Sequence, residues 1–488
     1  MTKSVIQFFK KHWFIIIITL IGAFFRLYRL QPSLQFLGDQ GRDVLVIRNL
    51  LVKKDFPFIG PITSVGGFYL GPLYYYLMAP FLWLFNFNPA GPAFATAFIG
   101  IITLPVLYFI TKKMFLESTA KFTVLLYAFA AIPIQETRSA WNPNPMPLAV
   151  LGIVFGFYQA LKTNKPKWLL LSSLSLAAAL QLHYMIVFLA PFLLWQIIIF
   201  FQNKKFKKWL LPWFGIIVLF MLPLILFEIK NNFLNIKGLI EFFQHHQYQK
   251  FDLYQNFRNL KGRSEEAIGM ILGFGRNTNL ARTTVTRLIL LATTILLIKK
   301  RTKSLIFVSV WLLSSIVTLA FYRSNVYPHY LGFIFPAVFM LIGRTLSYFK
   351  GKFSIISIIF LIYFVSFNLP LIKQTLKING NLKSVEKTAV FIKKDIDDKS
   401  YQNYNLVLLD GTRDYKASGF RYFLELYGGK ALGIDKYPQA NILYIISPYI
   451  QENVLKEEIW EIKSVKPAEL LEKWEFEDSE NIYKIKRL

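Results

Sequence analysis

Residues 13–25 of the chain read WFIIIITLIGAFF, and this uncharged run decides the fold class. It follows a basic start that includes Lys10 and Lys11. A cleaved signal peptide ends in a small-residue cleavage site, but here the sequence Phe25-Arg26-Leu27-Tyr28-Arg29 comes next. We therefore predict that residues 13–30 form an uncleaved first membrane span whose N-terminal end lies in the cytoplasm.

Apolar runs of the same kind recur along the chain. The 488 residues are 54% hydrophobic, above the roughly 45–50% of soluble domains, and the apolar residues occur in blocks long enough to cross lipid. Such blocks predict an all-α polytopic membrane domain of about 11 transmembrane helices. The predicted spans are 13–30, 91–111, 119–136, 145–161, 168–183, 184–202, 209–227, 282–298, 304–322, 330–348 and 353–370.

Lysines and arginines indicate the orientation. The net charge is +28, but the basic residues cluster in short loops between apolar runs, which is typical of cytoplasmic loops and anionic-lipid contacts rather than nucleic-acid binding. We predict a multi-pass protein of the cytoplasmic membrane that contacts membrane lipids and no nucleic acid. A further apolar run, 71–87, is then an interfacial or re-entrant helix on the outer side; alternatively it spans, and a short run such as 184–202 is wrongly assigned.

The composition changes after about residue 372. Patterns of helices and strands alternate there, and 482–485 has the pattern of an edge strand. We predict a transmembrane domain over 1–372 and a small extracytoplasmic α/β domain over 373–488. The chain has no cysteine, which excludes disulfides and thiolate metal sites. The helix-like segments are 381–395 and 415–427, and the strand-like segments are 405–410, 442–446 and 482–485.

The first polar cluster beyond the first span is Gln35-Phe36-Leu37-Gly38-Asp39-Gln40-Gly41-Arg42-Asp43. A helix that begins near Asp39 would place Arg42 and Asp43 on the same face. A carboxylate there could deprotonate a hydroxyl, and the planar guanidinium could bind an anionic phosphate through two donors. The alternative is structural, with Asp39 as the N-cap of the helix and Arg42–Asp43 as a surface pair.

A second cluster, Gln135 to Pro145, lies between two predicted spans. Its two Asn-Pro steps, at Asn142 and Asn144, favour a non-helical turn. Arg138 at the outer boundary needs a partner, either Glu136 or a ligand phosphate. The two asparagine amides could bond sugar hydroxyls, although asparagines in turns usually bond their own backbone.

A third cluster, Tyr322 to Tyr330, also lies at an outer boundary and contains Arg323 and His329. One arginine, one histidine and three tyrosines there could bind a lipid phosphate or a sugar. An aromatic belt with a snorkelling arginine is the alternative. His183 and Tyr184 form a similar pair.

Several nucleotide and metal motifs are absent from the sequence. It contains no P-loop, no G-x-G-x-x-G and no H-E-x-x-H. This disfavours an ATP-driven pump and a soluble type of nucleotide-sugar enzyme. No cofactor is firmly implied, and a divalent metal is conceivable but has no support.

The order of these motifs resembles a superfamily of membrane glycosyltransferases with the C-type (GT-C) fold, the dolichyl-phosphate-mannose protein mannosyltransferases and aminoarabinose lipid A transferases. The resemblance covers residues 10–350 through organisation and short motifs. Its matching parts are the first span with Gly38 to Asp43, the run Gly71-Pro72-Leu73-Tyr74-Tyr75, the turn Thr137-Arg138-Ser139, His183-Tyr184, and Tyr330-Leu331 with Pro336.

The resemblance implies a polyprenyl-phosphate sugar as donor and Asp39 as the general base that deprotonates the acceptor hydroxyl. Members commonly have Asp-Glu where this chain has Asp39-Gln40, so a second carboxylate is missing unless Asp43 replaces it. Many also carry an acidic residue where this chain has asparagines, and both departures weaken the case for a metal. The substrate-binding candidates are Arg42, Asp43, Tyr74, Arg138, Asn142, Asn144, His183, Tyr184, Arg323, His329 and Tyr330, with Arg138 and Arg323 as the phosphate ligands.

The sequence thus predicts a transferase that moves a hexosyl or pentosyl unit from a polyprenyl-phosphate carrier to an acceptor on the outer face of the membrane. The acceptor would be a protein, a lipid or a cell-wall glycan of the cell envelope. One alternative is a transporter or flippase of lipid-linked sugars, which should show paired half-repeats. Another is a non-catalytic membrane scaffold, in which Asp39 should tolerate substitution.

Overall fold

The computed structural model describes residues 3–63, 67–246, 253–274, 280–322, 324–411, 415–451, 453–476 and 480–488. Helices account for most of them. The helices are α1 (Lys3–Leu27), α2 (Gly38–Lys53), α3 (Leu73–Leu84), α4 (Ala90–Met114), α5 (Glu117–Ala128), α6 (Ala131–Thr137), α7 (Met146–Thr163), α8 (Leu169–Leu182), α9 (Ala190–Gln202), α10 (Lys204–Lys230), α11 (Leu234–His246), α12 (Leu253–Ile271), α13 (Leu280–Lys299), α14 (Lys303–Leu319), α15 (Phe335–Leu346), α16 (Ser354–Thr375), α17 (Leu382–Lys399), α18 (Ser418–Leu426) and α19 (Trp460–Lys463). The strands are β1 (Tyr404–Leu408), β2 (Ile442–Ser447), β3 (Ala468–Trp474) and β4 (Asn481–Arg487).

Long apolar helices confirm the prediction of a multi-pass membrane protein. Within the described ranges, six helical segments are long and apolar enough to cross a membrane. The total of eleven spans stays a prediction. The six segments are Gln7–Leu27, Ala90–Met114, Met146–Thr163, Tyr184–Gln202, Lys204–Lys230 and Gly351–Thr375.

One predicted span, 119–136, is interrupted in the structure. Helix α5 ends at Ala128 and α6 begins at Ala131, with Pro133 in the first turn, where a missing N–H breaks no intrahelical bond. The side chain of Asn368 accepts a hydrogen bond from the Ala131 N–H at 2.9 Å. A polar side chain from α16 therefore satisfies the backbone at the break.

Helix α3 is the observed form of the apolar run 71–87. Its 12 residues rise about 18 Å, less than the roughly 30 Å of the hydrocarbon layer. The helix is therefore too short to span alone. Its placement in the interface stays a prediction.

The C-terminal region confirms the prediction of a small α/β fold. Its sheet has the order β1-β2-β4-β3, in which β1 pairs with β2 in parallel and the other two pairings are antiparallel. The prediction of an edge strand at 482–485 is wrong, because β4 lies between β2 and β3. Lys484 makes that position polar in sequence, but it is buried and paired with Asp395 and Glu472 at 2.8 Å each.

The chain divides into two compact units. The first, the membrane unit, comprises 1–28, 57–77 and 94–376. The second, the C-terminal unit, comprises 29–56, 78–93 and 377–488. The predicted domain boundary at 372/373 stays a prediction, but two segments from the region between α1 and α4 pack with the C-terminal residues.

Candidate active site

Helix α2 carries the first predicted cluster, in the C-terminal unit. The chain is extended at Leu37, where φ is −96° and ψ is 176°, and the helix begins at Gly38. The Gln40 side chain accepts a hydrogen bond from the Leu37 N–H at 3.0 Å, as the third residue of a capping box does. The alternative of Asp39 as N-cap is therefore wrong, because Leu37 occupies that position and Asp39 lies in the first turn.

The structure brings Asp39, Arg42 and Asp43 together. Arg42 Nη1 donates to Asp39 Oδ1 at 2.8 Å, and its Nε and Nη2 donate to Asp43 Oδ1 at 2.9 and 2.8 Å. The Asp39 side chain is 45% exposed, whereas that of Asp43 is 3% exposed. Arg42 thus joins a buried carboxylate to an accessible one, and the Asp39 side chain remains accessible to solvent.

Arg138 follows α6 in the membrane unit. Its Nη1 donates to the carbonyls of Phe25, Arg26 and Tyr28 at 2.9, 3.1 and 3.0 Å. The last carbonyls of a helix have no intrahelical partner, and a cation is favourable beside them. Burial, and then the charge of Arg26, lowers the pKa of Arg138 to about 10, so it stays charged at neutral pH. These contacts assign Arg138 to the end of α1, and its binding to phosphate stays a prediction.

The two asparagines of the second cluster bond backbone carbonyls. The Asn142 amide donates to the carbonyl of Leu182, at the end of α8. The Asn144 amide donates to the carbonyls of Glu136 and Ser139. The contacts of Asn144 match the structural alternative weighed for asparagines in turns. The contact of Asn142 instead links the turn to the residue before His183.

An aromatic–histidine cluster joins three distant parts of the membrane unit. The His183 ring lies 4.5 Å from that of Tyr184 and 5.0 Å from that of Tyr330, between centroids. The His329 ring lies 4.7 Å from both Tyr330 and Trp141. We name this group, Trp141, His183, Tyr184, His329 and Tyr330, the aromatic cluster. Four predicted site residues therefore meet, although up to 147 positions separate them.

Both histidines of the aromatic cluster are neutral at physiological pH. His183 lies in the turn after α8 and is buried. Burial lowers the pKa of His329 to about 4. His183 Nδ1 accepts from the Met185 N–H at 3.3 Å, so the ring proton is on Nε2. The cluster therefore offers uncharged ring faces and a neutral N–H donor.

A largely apolar cavity of about 420 Å³ lies in the membrane unit. Aromatic and aliphatic side chains form most of its wall, and Tyr184 belongs both to this wall and to the aromatic cluster. Its hydroxyl lies 3.3 Å from that of Tyr322. A wall of this composition suits an apolar chain. The lining residues are Phe68, Tyr69, Leu70, Leu180, Tyr184, Val187, Phe188, Leu224, Glu228, Asn235, Ile236, Leu239, Phe321 and Tyr322.

Hydrogen bonds from Asn235 and Glu228 hold the loop before α3 at this cavity. Asn235 accepts from the Tyr69 N–H at 2.7 Å and donates to the Tyr69 carbonyl at 3.0 Å. Glu228 accepts from the N–H groups of Asn235 and Ile236 at 3.1 and 3.2 Å, at the start of α11. The buried acid therefore fixes the residue that holds the loop.

The substrate-binding candidate Tyr74 is buried, and its role stays a prediction. Arg323 lies outside the described residues. Arg263, which the sequence did not single out, pairs with Glu266 at 2.7 Å and donates to the carbonyls of Tyr322 and Ser324 at 2.9 and 3.1 Å. No sequence motif marks Arg263, because its role depends on a loop 60 residues away.

Metal ligands do not gather in the part of the chain that the structure describes. No three histidine, aspartate or glutamate side chains there are close enough together to hold an ion.

This fold is that of the GT-C membrane glycosyltransferases. A family model described as dolichyl-phosphate-mannose-protein mannosyltransferase matches residues 70–227. This match and the structural likenesses below confirm the resemblance found from the motifs. No curated protein matches the chain.

Three solved structures illustrate the likeness. ArnT from Cupriavidus metallidurans, in a structure with bound undecaprenyl phosphate, has a TM-score of 0.64 and 11% identity, over 98% of this chain and 98% of that chain. The oligosaccharyltransferase of Archaeoglobus fulgidus, in complex with Zn and sulfate, has a TM-score of 0.56 and 13% identity, over 89% and 68%. The same organism's AglB, in complex with an inhibitory peptide and a dolichol-phosphate, has a TM-score of 0.54 and 11% identity, over 90% and 70%. At these identities the likeness shows the fold alone.

Proposed function

We propose that the protein transfers a sugar from a polyprenyl-phosphate carrier to a hydroxyl-bearing acceptor on the outer face of the cytoplasmic membrane. The observation that carries this proposal is the accessible Asp39 carboxylate, bound by Arg42 at the start of α2. It stands in a chain whose fold is that of membrane glycosyltransferases. The acceptor would be a protein, a lipid or a cell-wall glycan.

In the proposed reaction, Asp39 takes the proton of the acceptor hydroxyl. The acceptor oxygen forms a bond to the anomeric carbon of the sugar, and the bond between that carbon and the phosphate oxygen breaks. The polyprenyl phosphate leaves with the bonding electron pair. Arg42 orients the Asp39 carboxylate through its bond to Oδ1, while the buried Asp43 fixes Arg42.

The membrane unit supports the lipid part of the proposal. The largely apolar cavity beside Tyr184 provides a surface for an isoprenoid chain. The neutral aromatic cluster provides ring faces and a donor for the less apolar end of the same molecule. ArnT binds undecaprenyl phosphate in its structure, which favours a carrier of this class here.

The proposed orientation places the N-terminus in the cytoplasm and both Asp39 and the C-terminal residues outside. The observation behind it is the distribution of basic residues, which cluster at Lys112-Lys113, Lys162 to Lys167, Lys204 to Lys208 and Lys299 to Lys303. Short loops with such clusters remain in the cytoplasm.

The first prediction concerns Asp39→Asn, which keeps the shape of the side chain and removes the base. We expect transfer of label from radiolabelled polyprenyl-phosphate sugars to fall by about a hundredfold, as for loss of a general base. The assay uses membranes with equal amounts of each protein. Asp55→Asn is the matched control, since Asp55 is an exposed aspartate just after the same helix.

Transfer by Asp39→Asn at the wild-type level would contradict the assignment of the base. A scaffold would give that result. Transport without transfer, measured as carrier movement across sealed vesicles, would favour the flippase alternative instead.

A further inference from the structure

The segment that contains Asp39 is attached to the C-terminal residues at three places. Just before α2, Gln35 Nε2 donates to the Asn379 carbonyl at 2.7 Å. The Asn381 side chain accepts from the Phe36 N–H at 2.7 Å and donates to the Phe36 carbonyl at 3.4 Å. Two backbone groups of one residue thus bond to one amide, which fixes the direction in which the chain enters the helix.

A close contact between two backbones follows in the first turns of α2. A Cβ atom added to Gly41 would lie 2.3 Å from the Gly419 nitrogen and 2.7 Å from its Cα atom. Helix α18 therefore touches α2 at a distance that no side chain allows. Glycine is unfavourable within a helix, so its presence at Gly41, two residues after Asp39, has a packing reason.

A third attachment lies near the far end of α2. Arg48 lies 3.5 Å from the Glu425 carboxylate and donates to the Glu425 carbonyl at 3.3 Å. Ahead of the helix, the Phe36 ring also packs against that of Phe423 in α18, with centroids 5.9 Å apart. Attachments before, within and late in the helix fix its position, its rotation and its tilt.

The contacts of the Asp39 side chain with Arg42 and of Arg42 with Asp43 all lie within α2 itself. These bonds set the orientation of the Asp39 carboxylate relative to its own helix. They do not set the direction of the helix. The attachments to α18 and to residues 379–381 do.

We propose that the C-terminal residues 377–488 are a positioning element for the proposed base. In this inference, which rests on the proposed function, Gly41, Gly419 and the Arg48–Glu425 pair act through α2 on Asp39 and touch no substrate. A displacement of about 1 Å at a reacting group can reduce a rate by about a hundredfold. The backbone contact at Gly41 is therefore a requirement for turnover.

The first test measures the attachment without measuring activity. Because the chain has no cysteine, the double variant Arg48→Cys/Glu425→Cys carries the only thiols. A short bis-maleimide should join the two thiols in native membranes. After cleavage at a protease site inserted between positions 48 and 425, the N-terminal and C-terminal fragments should then migrate together. The control pair is Arg48→Cys/Glu458→Cys, since the Glu458 carboxylate pairs with Lys463 instead. Both thiols reacting singly without a joined product would overturn the inference.

The second test is kinetic. We expect Gly41→Ala to lower kcat tenfold or more and to change the donor KM less than twofold. Gly262→Ala is the matched control, because Gly262 is also helical and nothing lies within 4 Å of its added Cβ. It should behave as the wild type. Unchanged kcat in Gly41→Ala would overturn the inference.

A rescue experiment excludes simple misfolding of one variant. Arg48→Glu should lower kcat, and Arg48→Glu/Glu425→Arg should restore most of it, since the swap re-forms the ion pair. Failure of the double variant to recover, with normal protein levels, would contradict the positioning role. If the wild type transfers none of the donors, the proposed function fails, and the cross-link alone then decides whether the C-terminal residues hold α2.

Discussion

Arg138 shows how a buried charge is satisfied between two membrane helices. One nitrogen donates to three carbonyls at the end of α1, and the residue is only 5% exposed. The sequence predicted Arg138 itself as a phosphate ligand. Sequence could place the arginine at a boundary but could not show that the end of a helix lies beside it.

Arg138→Ala separates these two roles. We expect it to lower the free energy of unfolding by about 1.5–3 kcal/mol, as for loss of a hydrogen bond to a charged group, and to leave the donor KM unchanged. Thermal unfolding in detergent and transfer kinetics measure the two effects. Arg301→Ala, at an exposed arginine, serves as control. A raised KM with normal stability would identify Arg138 as a phosphate ligand.

The histidines of the aromatic cluster give a prediction about pH. The pKa of His329 falls from 6.5 to about 4 in the folded protein, so folding disfavours its protonated form. The stability that comes from the neutral ring is complete above pH 6.5 and is lost as the pH falls from 6.5 to about 4.

We therefore expect the unfolding temperature of the wild type to fall more steeply between pH 6.5 and 4 than that of His329→Gln. Carboxylates titrate in both proteins, so the difference between the two curves reports the histidine. Parallel curves would show that the ring is not buried as a neutral group.

At the scale of elements, the loop before α3 depends on α11. Asn235 makes two hydrogen bonds to Tyr69, and Glu228 fixes Asn235. Hydrogen bonds therefore link the loop to α11, and both contribute residues to the wall of the apolar cavity. A change in either one changes the shape of the cavity.

Asn235→Ala tests this dependence. We expect amide exchange of residues 68–70 to become at least roughly tenfold faster, because two hydrogen bonds of about 0.5–1.5 kcal/mol each are lost. Hydrogen exchange followed by mass spectrometry measures it. Asn231→Ala is the control, since that amide donates within its own helix to Phe227. Unchanged exchange would show that other contacts hold the loop.

At the scale of the whole molecule, local sequence patterns predicted the helices and strands far better than the contacts between them. Apolar blocks gave the membrane helices, and alternation in the C-terminal residues gave β1, β2, α17 and α18. Strand β3 was missed because its sequence, AELLEKW, contains three charged residues and does not alternate regularly between apolar and polar. The break between α5 and α6 was missed because apolar composition does not distinguish one helix from two.

The candidate site shows the same limit. Sequence grouped Asp39 with Arg42 and Asp43, since residues three and four apart share a helix face. It could not show that residues 29–56 pack with residues 377–488, because a pair such as Gly41 and Gly419 carries no local signal of contact. Long-range contacts of glycine are visible only in the fold.

The 345 positions between Phe36 and Asn381 also impose an order on biogenesis. During synthesis the first outer loop leaves the ribosome while its docking surface has not yet been translated, and it must wait until the last quarter of the chain has folded. In the scheme proposed above, a chain that lacks folded residues 377–488 contains Asp39 but cannot position its carboxylate. Under this proposal, transfer can begin only after residues 377–488 have folded.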